Sequence, residues 1–201
     1  MLMNFLAHFY LSGQDEELLT GNFLGDFVKG NDLVQFPEGV VKGIRMHQSI
    51  DQFTDSHEIT LRSKKRISHK YGHYSAVIID IFYDHFLAKL WDQFHDQDLL
   101  YFTEDSYKIL DKYSHLFPKK AFYVYPYMKN GNWLLRYGTL EGISRTLNGM
   151  ARRARFNSKM DEAIEDLKIH YDDFRKDFEE FFPTLQAHCN EFLKLKNGTI
   201  Q

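Results

Sequence analysis

"YSAVIIDIFYDHFLAKLWDQF", residues 74–94, is the stretch that decides the fold. Its apolar side chains surround most of a helical circumference, and a helix that is apolar nearly all round is usually buried. Asp80 and Asp84 nevertheless lie one turn apart on one side of it. A buried carboxylate is costly unless it is paired, protonated or bound to a metal. Two interpretations follow: a central helix that carries part of a functional site, or a helix whose polar stripe (Asp80, Asp84, Lys89) reaches solvent.

Helical periodicity continues on both sides of this stretch, without strand-like alternation. The chain has only 4 Pro and 12 Gly in 201 residues, so obligatory breaks are few. Pro37 suits the start of a helix, and Pro183 is expected to break or kink the last one before "TLQAHCNEFLKL". We predict one compact all-α domain over residues 1–201, with further helices at 3–11, 15–29, 38–56, 57–72, 98–116, 119–136, 139–155 and 158–181.

The amino-acid composition limits the class of protein, the kinds of partner and the location that we expect. Hydrophobic residues at 43% and charged residues at 26% are typical of a globular protein. The net charge of −3 gives no overall attraction to nucleic acid or to an anionic membrane, so an acidic partner needs a local basic patch. A single cysteine, Cys189, favours a reducing cytoplasm and a core position. "MLMNFLAHFYL" lacks a basic leader, and no stretch approaches the roughly 18 apolar residues of a membrane span. We expect a soluble, cytoplasmic protein.

Four segments offer metal ligands from predicted helices. Residues four apart share a helix face, so each set can point inward together. Mixed imidazole and carboxylate donors suit Mn²⁺, Fe²⁺ or Zn²⁺, and the lack of thiolates argues against a closed structural zinc site. The sets are His8 with Asn4, Asp26 with Asn22, His47 with Asp51 and Asp55, and Asp80 with Asp84 and His85.

Each set also has a purely structural interpretation. His8 fits a hydrogen-bonded core histidine, Asp26 a partner for Lys29, and His47 with Asp51 a helix-surface pair. His85 points about 100° away from Asp84 on the helix, so we do not expect it to be a ligand. What favours a shared site is the concentration of all four sets in the first 85 residues.

Three other features have simpler interpretations. The only His-Asp doublet, His95-Asp96, falls where the apolar pattern ends, so we predict a surface loop. The basic runs 61–70 and 149–160 are either solvated faces or surfaces that recognise phosphate or an acidic protein. The second run holds Arg152, Arg153, Arg155 and Lys159.

Five segments together resemble the acyl carrier protein phosphodiesterase family: "MNFLAHFYLS" (3–12), "GNFLGDFVKGN" (21–31), "VVKGIRMHQSIDQFTD" (40–55), "IIDIFYDHFL" (78–87) and "LNGMARR" (147–153). The resemblance implies an all-helical, Mn²⁺-dependent enzyme from an unconventional branch of the HD-domain metal phosphohydrolases. Its substrate would be holo-acyl carrier protein, an acidic protein of fatty acid biosynthesis. Hydrolysis of the diester between 4′-phosphopantetheine and a serine would give the apo protein.

If the resemblance holds for the site, we expect the metal ligands to be His8, Asp26, His47 and Asp80. Asp51 and Asp84, the catalytic candidates, are expected either to join these metal ligands or to orient them. Arg152 and Arg153 are expected to bind phosphate or the carrier protein. Mn²⁺ is the favoured ion, with Mg²⁺ and Fe²⁺ as alternatives. The adjacent doublet of the wider HD group is replaced by His47 and Asp51, one turn apart. A phosphohydrolase of nucleotides or other small phosphate esters, and a helical binding module without catalysis, remain alternatives.

Overall fold

The computed structural model describes residues 5–28, 30 and 33–197, and every α-helix and 3₁₀ turn in this part packs around one hydrophobic core. Within it there is no strand, which confirms the all-α prediction. Asn4 and Lys29, both named in the sequence predictions, lie outside the described residues. The helices are α1 (Phe5–Leu11), α2 (Glu16–Leu24), α3 (Glu38–Ser56), α4 (Glu58–Tyr71), α5 (Ser75–Lys89), α6 (Leu99–Lys112), α7 (Lys119–Asn130), α8 (Trp133–Arg136), α9 (Leu140–Arg153), α10 (Ala163–Ile169) and α11 (Tyr171–Asn197).

Helix α5 is the central element, in contact with α1, α4, α9 and α11. Twelve of its fifteen residues are buried, including Asp80 and Asp84, while Lys89 is exposed. The prediction of a buried helix is therefore confirmed, and the interpretation of the two aspartates as a solvent-facing stripe is wrong. None of the helices in the described part of the chain combines the length and hydrophobicity of a membrane span.

Helices α2 and α3 pack unusually closely because glycines face each other at their crossing. A Cβ added at Gly21 would lie 2.6 Å from the Cα of Gly43 and would also collide with the carbonyl oxygen of Val40. Interior packing leaves no room for such a group without moving the backbone. The glycines of "GNFLG" and "VVKGI" therefore set the distance between the two helices.

Several predicted helix ends were wrong. The helix predicted at 15–29 ends at Leu24, where residues 25–27 form a turn that bonds back to the Leu24 carbonyl. The segment predicted as one helix at 158–181 divides into α10 and the start of α11. Helix α11 then continues through Pro183, so the break expected there is absent, and the alternative of a kink stays a prediction. Phe181, Phe182 and Leu185 are buried around this proline, so packing against the core maintains a helix that local propensity disfavours.

Part of the first basic run forms ion pairs within the protein. Arg62 and Arg66 of α4 bind the buried carboxylate of Asp177 on α11, and Ser63 donates a 2.5 Å hydrogen bond to the same group. Burial acts to raise the pKa of Asp177, but the hydrogen bonds from Ser63, Arg66 and Arg62 outweigh it and hold the pKa below its usual value. This part of the run therefore attaches α4 to α11.

Candidate metal centre

Two buried histidines face each other where α1 meets α3. His8 is 0% exposed and His47 is 3% exposed. Their rings are stacked, with centroids 4.2 Å apart and an interplanar angle of 24°. The two most prominent histidines of the sequence prediction, 39 positions apart in the chain, are therefore brought into direct contact.

The carboxylate of Asp51 lies against both rings. Its Oδ1 is 3.3 Å from His8 Nε2, and its Oδ2 is 3.3 Å from His47 Nε2. One donor atom from each of the three residues lies within 4.8 Å of the other two. Burial acts to raise the pKa of Asp51, but its interactions with His47 and His8 outweigh burial and hold the pKa well below its usual range. Asp51 is therefore ionised at neutral pH.

A chain of hydrogen bonds fixes His8. Its Nδ1 lies 3.2 Å from Asn22 Oδ1, the Asn22 amide donates to Ser12 Oγ, and the Ser12 hydroxyl donates to the His8 carbonyl. Because the Asn22 oxygen can only accept, Nδ1 of His8 carries a proton, which leaves the Nε2 position facing Asp51 for a second proton or a metal ion. This Nε2 is buried and has no hydrogen-bond partner among the described residues.

The Nε2 atom of His8 and the carboxylate of Asp51 suit a cation placed between them. A lone pair and a carboxylate oxygen facing each other are both acceptors, and a positive species between them satisfies both. Two imidazole nitrogens and a carboxylate are a donor set that suits Mn²⁺, Fe²⁺ or Zn²⁺. The amide behind His8 resembles the outer hydrogen bonds that orient metal-bound histidines. These residues fit a divalent cation.

Gly25 controls the position of His47. A Cβ at this position would lie 2.5 Å from Cδ2 and 2.6 Å from Cβ of His47, so the imidazole occupies the space that a side chain would fill. The early end of α2 places Asp26 immediately after this glycine, with Oδ1 4.0 Å from His47 Nε2. Sequence reasoning missed Gly25, although the four-residue spacing of Gly21 and Gly25 marks one small face of the helix predicted at 15–29.

Asp84 attaches α1 to the central helix. Its two oxygens accept the backbone N–H groups of Leu6 and Ala7 at 3.0 and 2.9 Å. Burial raises the pKa of Asp84 to about 7, against the lowering effect of those two hydrogen bonds. Because His8 follows Ala7, Asp84 positions His8 through the backbone.

Asp80 is not one of the three residues whose donor atoms converge, but it lies near the carboxylate of Asp51. It is 8% exposed, and with Thr54 and Asp84 it lines a small cavity between α1, α3, α5 and α11. Burial raises the pKa of Asp80 well above its usual value, and the nearby charges of Asp51, Asp55 and Asp84 add to the effect. A group so placed favours a proton or a cation beside it.

The other residues considered in the sequence lie outside the group of His8, His47 and Asp51. His85 is a core histidine whose nitrogens contact the Tyr137 carbonyl at 2.7 Å and the Tyr171 hydroxyl at 2.9 Å, which agrees with its exclusion as a ligand. Asp55 is exposed and pairs with Lys64. The loop prediction for His95-Asp96 and the core prediction for Cys189 are confirmed. Arg152 and Arg153 are exposed at the carboxyl end of α9, apart from the three central residues in the sequence.

A helical domain that brings together two buried histidines and a half-buried aspartate belongs to a class of protein suited to holding a divalent cation between its helices. The chain belongs to the acyl carrier protein phosphodiesterase family, whose model, described as "Acyl carrier protein phosphodiesterase", matches residues 3–185.

Curated relatives that bear this name cover nearly the whole chain. The protein of Photorhabdus laumondii is 35% identical over 182 residues, which is 90% of this chain and 92% of that relative. The protein of Salmonella paratyphi A is 33% identical over 188 residues, which is 93% of this chain and 97% of that relative. The protein of Escherichia coli O139:H28 is 32% identical over 192 residues, which is 94% of this chain and 98% of that relative. No solved structure matches the chain, so the likeness to the HD-domain fold stays a prediction.

Proposed function

We propose that this protein hydrolyses the phosphodiester between 4′-phosphopantetheine and a serine of holo-acyl carrier protein, releasing apo-acyl carrier protein and 4′-phosphopantetheine. The observation that carries the proposal is the convergence of His8, His47 and Asp51 in a chain of this family. Family membership supports the substrate, and the donor set supports a metal-dependent route. The free, buried Cys189 is consistent with a cytoplasmic location, and the carrier-protein substrate connects the proposed enzyme to fatty acid biosynthesis.

His8, His47 and Asp51 would hold the ion, with Asp26 and Asp80 as further ligands. Mn²⁺ is the ion we favour, and Mg²⁺ and Fe²⁺ are alternatives. When bound, a divalent cation supplies Lewis acidity that polarises the phosphoryl group and stabilises the charge of the transition state. It would also offset the repulsion between the carboxylates of Asp51, Asp80 and Asp84.

The protein's own residues then have separate tasks. Asp51 presents an ionised carboxylate, because both histidines hold its pKa low. Asn22 holds His8 with Nε2 facing inward, and Asp84 holds the first turn of α1 in place. Asp84 is thus a positioning residue, which is one of the two roles considered for it in the sequence. Arg152 and Arg153 would bind a phosphate oxygen or an acidic group of the carrier protein, as their exposed guanidinium groups allow.

The function is tested by incubating holo-acyl carrier protein with the Mn²⁺-loaded protein and following the carrier by mass spectrometry. We expect the carrier mass to fall by one phosphopantetheine group, and the reaction to stop on addition of a chelator. His47→Ala is expected to remain folded by circular dichroism and to lose the activity. Hydrolysis of a nucleotide panel with the carrier left intact would overturn the assignment in favour of a small-ester phosphohydrolase.

A further inference from the structure

Positive charge is concentrated in one part of the chain. Residues 119–160 contain nine Lys and Arg residues and one acidic residue, Glu141, a formal charge of +8 in a chain whose total is −3. All nine basic side chains are exposed. Lys129 pairs with Asp111, and Arg145 pairs with Glu141. This segment therefore forms a positive surface on a protein that is otherwise strongly acidic.

The same segment exposes large aromatic rings. On α7, Phe122 and Tyr123 are each 63% exposed and Tyr127 is 72% exposed, with Tyr123 and Tyr127 one turn apart. Beyond α9, Phe156 is 64% exposed and the Arg155 guanidinium lies over its ring. Exposed aromatic residues beside arginines are the composition of protein-binding surfaces.

A groove between α7, α8 and α9 is lined by both the basic and the aromatic side chains of this segment. We call it the arginine furrow, lined by Tyr127, Trp133, Arg136, Gly142, Arg145 and Arg153. The part beside α7 has a volume of about 340 Å³. A Cβ at Gly142 would lie 2.7 Å from the carbonyl carbon of Arg136, so α9 comes this close to α8 only because position 142 has no side chain.

One ring contact links α7, which lines the furrow, to the helix that precedes the metal centre. Tyr125, on the buried side of α7, contacts the ring of Phe23 on α2, with centroids 6.0 Å apart. Phe23 lies three residues before Asp26, whose carboxylate faces His47. Tyr125 of α7 therefore touches the helix that leads into the centre, while Tyr123 and Tyr127 of the same helix are exposed.

We propose that the arginine furrow is the docking site for an acidic, partly apolar surface of acyl carrier protein. The proposal rests on the function proposed above and extends it beyond Arg152 and Arg153. An acidic carrier is repelled by the protein as a whole, so productive encounters need a positive surface of this kind. A long nucleic acid fits less well, because it would also meet the rest of the chain. The residues outside 119–160 carry a formal charge of −11.

Binding of apo-acyl carrier protein to the metal-free protein tests the docking without the reaction, since the apo carrier has no phosphodiester. Fluorescence anisotropy at low and at moderate salt would compare the unaltered protein with Tyr127→Ser and Arg136→Glu. We expect each variant to weaken binding about tenfold and the unaltered protein to lose affinity with salt. Lys65→Glu, the same kind of charge change at an exposed residue of α4, is the matched control and should bind within about twofold of the unaltered protein.

Several results would overturn the proposal: no binding of the carrier, equal loss in the control, or affinity that the furrow variants do not change. Tighter binding of a single-stranded oligonucleotide through the same residues would also overturn it. Furrow-dependent binding of a holo carrier that is never cleaved would instead refute the proposed function and leave the docking site in place. Circular dichroism of all variants checks that the exposed substitutions leave the fold intact.

Discussion

The substitution Gly25→Ala tests how the metal centre is built, because it adds one methyl group and removes no ligand. The new Cβ would lie 2.5 Å from Cδ2 and 2.6 Å from Cβ of His47, whereas carbon atoms in contact are about 3.5 Å apart. The imidazole must therefore move by about 1 Å, which is large beside the roughly 0.2 Å tolerance of a metal–ligand distance. We expect Mn²⁺ affinity to fall about 10–100-fold, the usual effect of disturbing the support of a ligand.

Isothermal titration of the metal-free variant with Mn²⁺ measures this effect. Gly149→Ala is the matched control, because a Cβ there meets only the Arg153 guanidinium at 4.0 Å. The control should bind Mn²⁺ normally and be slightly more stable, since alanine is favoured over glycine within a helix. Normal Mn²⁺ affinity in Gly25→Ala, combined with loss of affinity in His47→Ala, would refute the argument that Gly25 sets the position of the imidazole.

Two further predictions concern stability. Asp177→Asn should lower the free energy of unfolding at pH 7 by about 3 kcal/mol, because Arg62 and Arg66 lose a buried partner. The folded-state pKa of Asp177 lies below its ordinary value of 3.8, so its stabilisation is present above about pH 4 and is lost as the pH falls through the folded-state pKa. Urea unfolding at pH 7, 5 and 3 should therefore show the difference between variant and unaltered protein shrinking only at the lowest pH; a constant difference would contradict this. Asp84→Leu leaves the N–H groups of Leu6 and Ala7 without their acceptor and should cost about 2–5 kcal/mol by urea unfolding. Asp84→Asn keeps an acceptor oxygen and should cost less; equal losses would show that the two hydrogen bonds are not what Asp84 contributes.

Much of the fold was predictable because the signals are local. The continuous apolar circumference of residues 74–94 indicated a buried central helix, and α5 is one. The predicted and observed bounds of α3 coincide at Glu38 and Ser56, where Pro37 precedes the first turn. The ends of α2 and α11 were missed because tertiary packing decided them. Gly25 lies against His47, and aromatic residues around Pro183 are held in the core.

The candidate site was predictable as a set of residues and not as a geometry. Spacing placed His47 and Asp51 on one face of α3, but it could not show that this face meets His8. Asp51, which sequence reasoning ranked behind His47, has a carboxylate oxygen 3.3 Å from Nε2 of each imidazole. The support of His8 by Asn22 joins residues 14 positions apart, and the attachment of α1 to Asp84 joins residues 77 and 78 positions apart. Such contacts depend on how the helices assemble, which no local pattern records.

The central claim is that His8, His47 and Asp51 form a divalent-cation centre. Its most direct test is a titration of the metal-free protein with Mn²⁺ followed by electron paramagnetic resonance, comparing the unaltered chain with Asp51→Asn. The amide is nearly the same size as the carboxylate but carries no charge, so the fold should persist while the ligand is weakened. We predict saturable binding in the unaltered protein and an affinity at least about tenfold lower in Asp51→Asn. Equal binding in both proteins, or no Mn²⁺ binding in either, would contradict the claim.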